Sequence, residues 1–156
     1  MGRNRNVKFM AQAALIAAVY VVLTILSAPL SFREIQVRIS EMLAVLPFFT
    51  AAAIPGLFIG CFISNIFGGN GILDIVFGSL ATLLAAYLSR KMPKKILAPL
   101  PPVVINAVVV ACILNVLYKV PLALTMLWVG AGEFIACYCL GYPFMVLLDK
   151  YREKIF

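Results

Sequence analysis

Long uncharged stretches make up most of this chain, and their lengths are the first clue to its architecture. Phe9 to Phe32 is 24 residues, Met42 to Leu73 is 32, Ile75 to Ser89 is 15 and Ile96 to Tyr118 is 23. Val120 to Leu148 adds 29 residues, broken only by Glu133. A bilayer core of about 30 Å needs about 20 helical residues. Four of the stretches therefore read as single helical spans. Met42–Leu73 is too long for one span and short for two.

The basic residues decide that stretch. Arg3, Arg5 and Lys8 precede the first run, Arg90, Lys91, Lys94 and Lys95 follow the Ile75 run, and Lys150, Arg152 and Lys154 follow the last. Clusters of Lys and Arg next to spans stay on the cytoplasmic side. All three clusters fall on one side only if Met42–Leu73 folds back on itself, and Ile54-Pro55-Gly56 supplies a turn signal for the fold-back. The expected fold is an all-α integral membrane bundle of six transmembrane helices, with N- and C-termini cytoplasmic. It forms a single domain over residues 1–156 in a cell membrane. Helices two and three are then short. The second recruits residues from Gln36 onward, and the third runs from about Gly56 to Phe67 and stops at Gly68-Gly69-Asn70-Gly71. The first run is longer than a signal h-region and lacks a small-residue cleavage site at its end, so an uncleaved start is expected.

Composition agrees and removes other classes. The chain is 64% hydrophobic and 12% charged, with a mean hydropathy of +1.07, against about a quarter charged in soluble domains. The formal charge of +7 sits in the clusters that flank apolar runs, so the bilayer accounts for it and a nucleic-acid partner is not expected. His is absent, which removes the commonest general base and most metal sites. Cys61, Cys112, Cys137 and Cys139 lie in apolar stretches without CxxC spacing, and Cys137 and Cys139 point to different sides of a helix. They read as packing residues. No enzyme, cofactor or metal is expected.

Charged side chains within spans are costly and usually face a cavity or a partner. Glu133 lies 13 residues beyond Val120, on the order of 20 Å deep at 1.5 Å per residue. Asn106 lies 12 residues inward from Tyr118, near the same depth, which suggests one polar pocket between the last two helices. Asp74 and Glu41 open the fourth and second helices from outside. Each has a plainer reading: helix-start residues for Asp74 and Glu41, interhelical glue for Asn106, a protonated buried acid for Glu133. Trp128 is about 140° around the helix from Glu133 and reads as packing or an interface anchor; Tyr20 and Tyr138 read as packing. Ala13/Ala17 and Ala14/Ala18 are small-xxx-small pairs that permit close helix contact, either within the bundle or with another subunit.

Three segments carry a resemblance. Val37-Arg38-Ile39-Ser40-Glu41-Met42-Leu43-Ala44-Val45-Leu46-Pro47-Phe48-Phe49, Ala53-Ile54-Pro55-Gly56-Leu57-Phe58-Ile59-Gly60-Cys61 and Leu73-Asp74-Ile75-Val76-Phe77-Gly78-Ser79-Leu80-Ala81-Thr82-Leu83 resemble signatures of the QueT family. Members are taken to be S components, the substrate-binding subunits of energy-coupling-factor (ECF) importers, for queuosine precursors. The resemblance implies a six-helix bundle that binds one small molecule and joins an ECF module of a transmembrane T subunit and two ATPase subunits. It also implies that an Ala-xxx-Ala face on the first helix, here Ala13/Ala17 or Ala14/Ala18, contacts the T subunit.

The implied ligand is 7-aminomethyl-7-deazaguanine, a cation at neutral pH. On that reading Glu133 accepts the guanine edge with Asn106 assisting, Asp74 or Glu41 holds the ammonium, and Trp128 or a Phe stacks. Asn70 and Arg38 complete the candidate substrate-binding set, with Arg38 expected to pair with Glu41 rather than touch ligand. Two other readings stay open: an S component for a vitamin-like or tryptophan-like cargo, and a standalone proton-coupled transporter of small cations in which Glu133 carries the proton.

Overall fold

The structure is a computed structural model that describes residues 2–27, 38–69 and 71–151. Asn70, most of the Pro29–Arg38 loop, and Arg152 and Lys154 lie outside the described residues. The architecture is helical throughout, with no strand among the described residues. In chain order the helices are α1 (Gly2–Leu26), α2 (Ile39–Phe48), α3 (Ala53–Gly68), α4 (Ser79–Lys91, entered through a π-helical turn at Asp74–Gly78), α5 (Leu100–Tyr118) and α6 (Leu122–Lys150). Within α6 a second π-helical turn, Ile135–Gly141, begins two residues after Glu133.

Three helical segments are long and apolar enough to cross a membrane: Asn4–Leu26, Lys95–Tyr118 and Leu122–Lys150. Ile39–Phe48 and Ala53–Gly68 are apolar but shorter. The polarity of the molecule is that of a membrane protein. Large apolar side chains such as Leu15, Phe67, Ile72 and Leu127 are exposed, whereas Arg38, Glu41, Asp74, Asn106 and Glu133 are buried. With no water in the hydrocarbon layer, polar groups must find partners inside the protein.

The chain does fold back within Met42–Leu73, but not at the Pro-Gly pair. The turn lies at 49–52, and Pro55 sits in the first turn of α3, where a missing N–H costs nothing. The hairpin's first arm also differs from expectation. α2 is a 3-10 helix of 10 residues, about 20 Å long at about 2.0 Å per residue, and it starts at Ile39. It is buried on nearly every side, packed among α1, α3, α4 and α6. Tight winding gives α2 a slim cylinder at the bundle centre, and Pro47 lies within it.

α1 docks along α3 through a buried stripe spaced by fours and threes: Ala13, Ala17, Tyr20, Thr24 and then Ser27. The partner surface is glycine. A methyl added at Gly56 would stand 2.8 Å from the Ala13 carbonyl oxygen, and one at Gly60 2.8 Å from the Tyr20 Cβ. The small-xxx-small spacing thus brings two backbones together inside the bundle. Beyond this seam, Tyr20, Leu43, Leu46, Leu57, Cys61 and Ala86 form the main apolar core. At the end that carries the basic clusters, Lys95 pairs with Asp149 and Arg90 Nη1 donates to the Pro47 carbonyl at 3.2 Å.

Gly56 generates a direct test. Ala is favoured over Gly inside a helix by roughly 0.5–1 kcal/mol, but overpacking costs roughly 1–3 kcal/mol, and a backbone oxygen cannot move aside as a side chain can. Gly56→Ala is expected to lower the thermal midpoint of the detergent-solubilised protein. A raised midpoint would show that the α1–α3 seam has slack.

Candidate functional site

Every helix contributes to one buried polar region. α1 supplies Tyr20 and Thr24, the N-terminal end of α2 supplies Arg38, Ser40 and Glu41, and α3 supplies Cys61 and Asn65. The turn before α4 supplies Asp74, α4 Thr82, α5 Asn106, and α6 Glu133 and Cys137. Two interactions divide this region.

The first is an ion pair. Arg38 Nη2 lies 3.1 Å from Asp74 Oδ2, with both side chains buried. This corrects the expected pairing of Arg38 with Glu41. Asp74 is accordingly engaged by a guanidinium rather than standing as an uncommitted anion. The π turn that carries Asp74 is held by side chains that accept its widened geometry. Asn65 Nδ2 donates to the Asp74 carbonyl at 3.0 Å, Ser79 Oγ to Ile75 O at 2.6 Å and Thr82 Oγ1 to Gly78 O at 3.2 Å. The plainer reading holds as far as position goes: Glu41 lies in the first turn of α2 and Asp74 in the first turn of the π segment, although Arg38, which precedes α2, makes no capping side-chain hydrogen bond.

The second is a cluster of acceptors. Tyr20 donates its hydroxyl to Glu41 Oε1 at 2.5 Å. The other oxygen, Glu41 Oε2, is buried with no hydrogen-bond partner among the described residues, as is Asn65 Oδ1. Cys137 Sγ lies 3.5 Å from the Glu41 carbonyl and 3.8 Å from Glu133 Oε2, and Asn106 stands within hydrogen-bonding reach of the Glu133 carboxylate. Asn106 and Glu133 are thus both buried and near each other in the bundle. One carboxylate oxygen each from Glu41 and Glu133 and the Cys137 sulfur lie within 4.8 Å of one another. That spacing admits a metal ion, but three ligand atoms leave a closed tetrahedral site one short.

Buried unpartnered polar atoms are rare and costly. Among the described residues two such atoms are acceptors only, Glu41 Oε2 and Asn65 Oδ1, and a third is the Ser64 hydroxyl. Neither Glu41 nor Glu133 takes part in an ion pair among the described residues. The arrangement suits a ligand that brings N–H donors and positive charge.

The remaining sequence candidates fall elsewhere. Trp128 is 47% exposed and lies on the outer surface of α6, so it is not gathered with the buried carboxylates. Asn70 is outside the described residues. Ala13 and Ala17 are covered by α3, whereas Ala14 and Ala18 are exposed. Sequence reasoning read Tyr20 and Cys137 as packing and passed over Asn65. Two of these carried a signal: Cys137 is four residues from Glu133 and so shares its face, and Tyr20 lies on the Ala13/Ala17 stripe. Cys139 is exposed and Cys137 buried, as their spacing indicated.

Comparison with known proteins gives a consistent match. The family model described as QueT transporter matches residues 10–150. The Queuosine precursor transporter QueT of Lactococcus lactis subsp. cremoris (strain MG1363) is 43% identical over 74 residues. That alignment spans 46% of this chain and 43% of the relative's length. No solved structure matches the chain.

The ion pair makes a sharp stability prediction. Removing one partner of a buried pair costs about 3–5 kcal/mol, whereas replacing both with neutral groups is far milder. Arg38→Gln is expected to destabilise the protein strongly, and Arg38→Gln combined with Asp74→Asn to recover most of the loss in a thermal melt. Additive losses in the double variant would mean that the two charges do not depend on each other.

Proposed function

The chain belongs to the QueT transporter family, and on that premise we propose that it is the membrane-embedded substrate-binding component of an importer for a queuosine precursor. The bound form is cationic 7-aminomethyl-7-deazaguanine, and separate ATPase subunits supply the energy. The observation that carries this reading is the buried Glu41–Glu133 cluster with its unpartnered oxygen. A guanine-like edge presents adjacent N–H donors, which a carboxylate accepts in bidentate fashion. Glu133, steadied by Asn106, takes that edge. Glu41 adds a further acceptor beside it, and Asp74 acts through Arg38 by keeping the guanidinium neutralised.

The family's six-crossing architecture fits a chain in which α2 and α3 form a short hairpin at the centre. It places both termini, with their basic residues, in the cytoplasm of a bacterial cell. The T subunit of an ECF module docks against α1 by way of Ala14 and Ala18, the exposed small pair, since Ala13 and Ala17 are used against α3.

Isothermal titration of the detergent-purified protein with the aminomethyl deazaguanine, guanine and thiamine tests the cargo. One-to-one binding of the deazaguanine in preference to the other two is expected, and Glu133→Gln should weaken it by at least tenfold, or about 1.4 kcal/mol. No binding to any of the three ligands would remove the cargo assignment. For the docking face, Ala14→Leu with Ala18→Leu should abolish uptake in cells that hold the ATPase module while leaving titrated affinity unchanged. Undiminished uptake would place the partner elsewhere.

A further inference from the structure

We propose that Tyr20 is a positioning residue for the ligand: it fixes the Glu41 carboxylate so that a single oxygen, Oε2, is offered to the site. This inference rests on the substrate-binding reading of the Glu41–Glu133 cluster and adds to it a residue from the first helix.

The geometry is specific. The Tyr20 hydroxyl donates to Glu41 Oε1 at 2.5 Å across 21 residues of sequence. Both side chains are about 1% exposed, so no solvent competes for the bond. A hydrogen bond to a charged group is worth roughly twice a neutral one, and the apolar surroundings strengthen it further. The phenol itself cannot drift. A Cβ placed at Gly60 would stand 2.8 Å from the Tyr20 Cβ and 3.1 Å from its ring, so the bare α3 backbone braces the side chain. Tyr20 also continues the Ala13–Ala17 stripe, which locks α1 against α3.

Two consequences follow for recognition. A Glu side chain has three rotatable bonds, and ordering them on binding costs affinity. Tyr20 orders Glu41 in advance. It also consumes one carboxylate oxygen, so Glu41 does not grip a two-donor edge in the bidentate manner. Glu41 accepts one N–H through Oε2, and bidentate recognition falls to Glu133. Tyr20 thereby assigns different tasks to two carboxylates that lie side by side.

The test is a double-mutant cycle read by titration with aminomethyl deazaguanine. Tyr20→Phe retains the ring against Gly60 and removes only the hydroxyl. It should weaken binding roughly tenfold and, because Glu41 Oε1 loses its donor, also lower the thermal midpoint modestly. In a Glu41→Gln background the same substitution should have little further effect, because coupled residues are non-additive. Equal weakening in both backgrounds, or none in either, would overturn the proposal.

A ligand-free measurement decides the matter even if the deazaguanine does not bind, an outcome that would count against the cargo rather than against Tyr20. The infrared carboxylate stretch removed by Glu41→Gln should shift in Tyr20→Phe, and fluorotyrosine at position 20, a stronger donor with the same packing, should shift it the other way. A band indifferent to both changes would show that Tyr20 does not hold Glu41.

Discussion

A guanidinium buried among apolar helices sets the terms for the rest of this molecule. Arg38 cannot stay charged in the bundle without an anion, and Asp74, 36 residues away, is the anion it meets. The pair joins the beginning of α2 to the turn that opens α4, so two elements of limited length are tied to each other by charge rather than by apolar area. Much of the local architecture serves this contact. The π turn at Asp74–Gly78 opens the helix, and Asn65, Ser79 and Thr82 take carbonyls in it. A freed carbonyl facing lipid would be several kcal/mol unfavourable, so these side chains are needed wherever the turn is to survive in a membrane.

With Arg38 paired to Asp74, neither Glu41 nor Glu133 takes part in an ion pair among the described residues. Glu41 and Glu133 arrive from opposite ends of the sequence and converge because α2 packs against the π turn of α6. The result is a buried cluster in which two carboxylates lie side by side. Tyr20 and Cys137 donate toward it, and Glu41 Oε2 and Asn65 Oδ1 have no hydrogen-bond partner among the described residues. Unpartnered buried acceptors are costly, a cost that the proposed cationic ligand would relieve.

The first helix has two faces with separate tasks. Its inner stripe reaches α3 through Ala13 and Ala17 and then carries Tyr20 to Glu41, while Ala14 and Ala18, one position further around, remain on the outside. Small residues on both faces explain why α1 shows no clear polar and apolar sides. In lipid the outward face is the apolar one, and the inward face needs smallness and hydrogen bonding rather than hydrophobicity.

Run lengths, basic clusters and the acids inside spans were enough to read a helical membrane protein and to single out Glu41, Asp74, Asn106 and Glu133. Each of those readings depends on the cost of placing charge in hydrocarbon, a property of the residue and its depth that needs no knowledge of neighbours. The position of the hairpin turn, the 3-10 winding of α2, the π turns and the choice of Asp74 over Glu41 as partner for Arg38 were not legible. Nor was the hydrogen bond from Tyr20 to Glu41, or which alanine pair faces inward. These depend on which helices become neighbours and at what rotation, and in a uniformly apolar sequence several rotations bury the same residues. Only the packed bundle, where Gly56 and Gly60 admit α1 and each buried polar atom must find a partner, selects one of them.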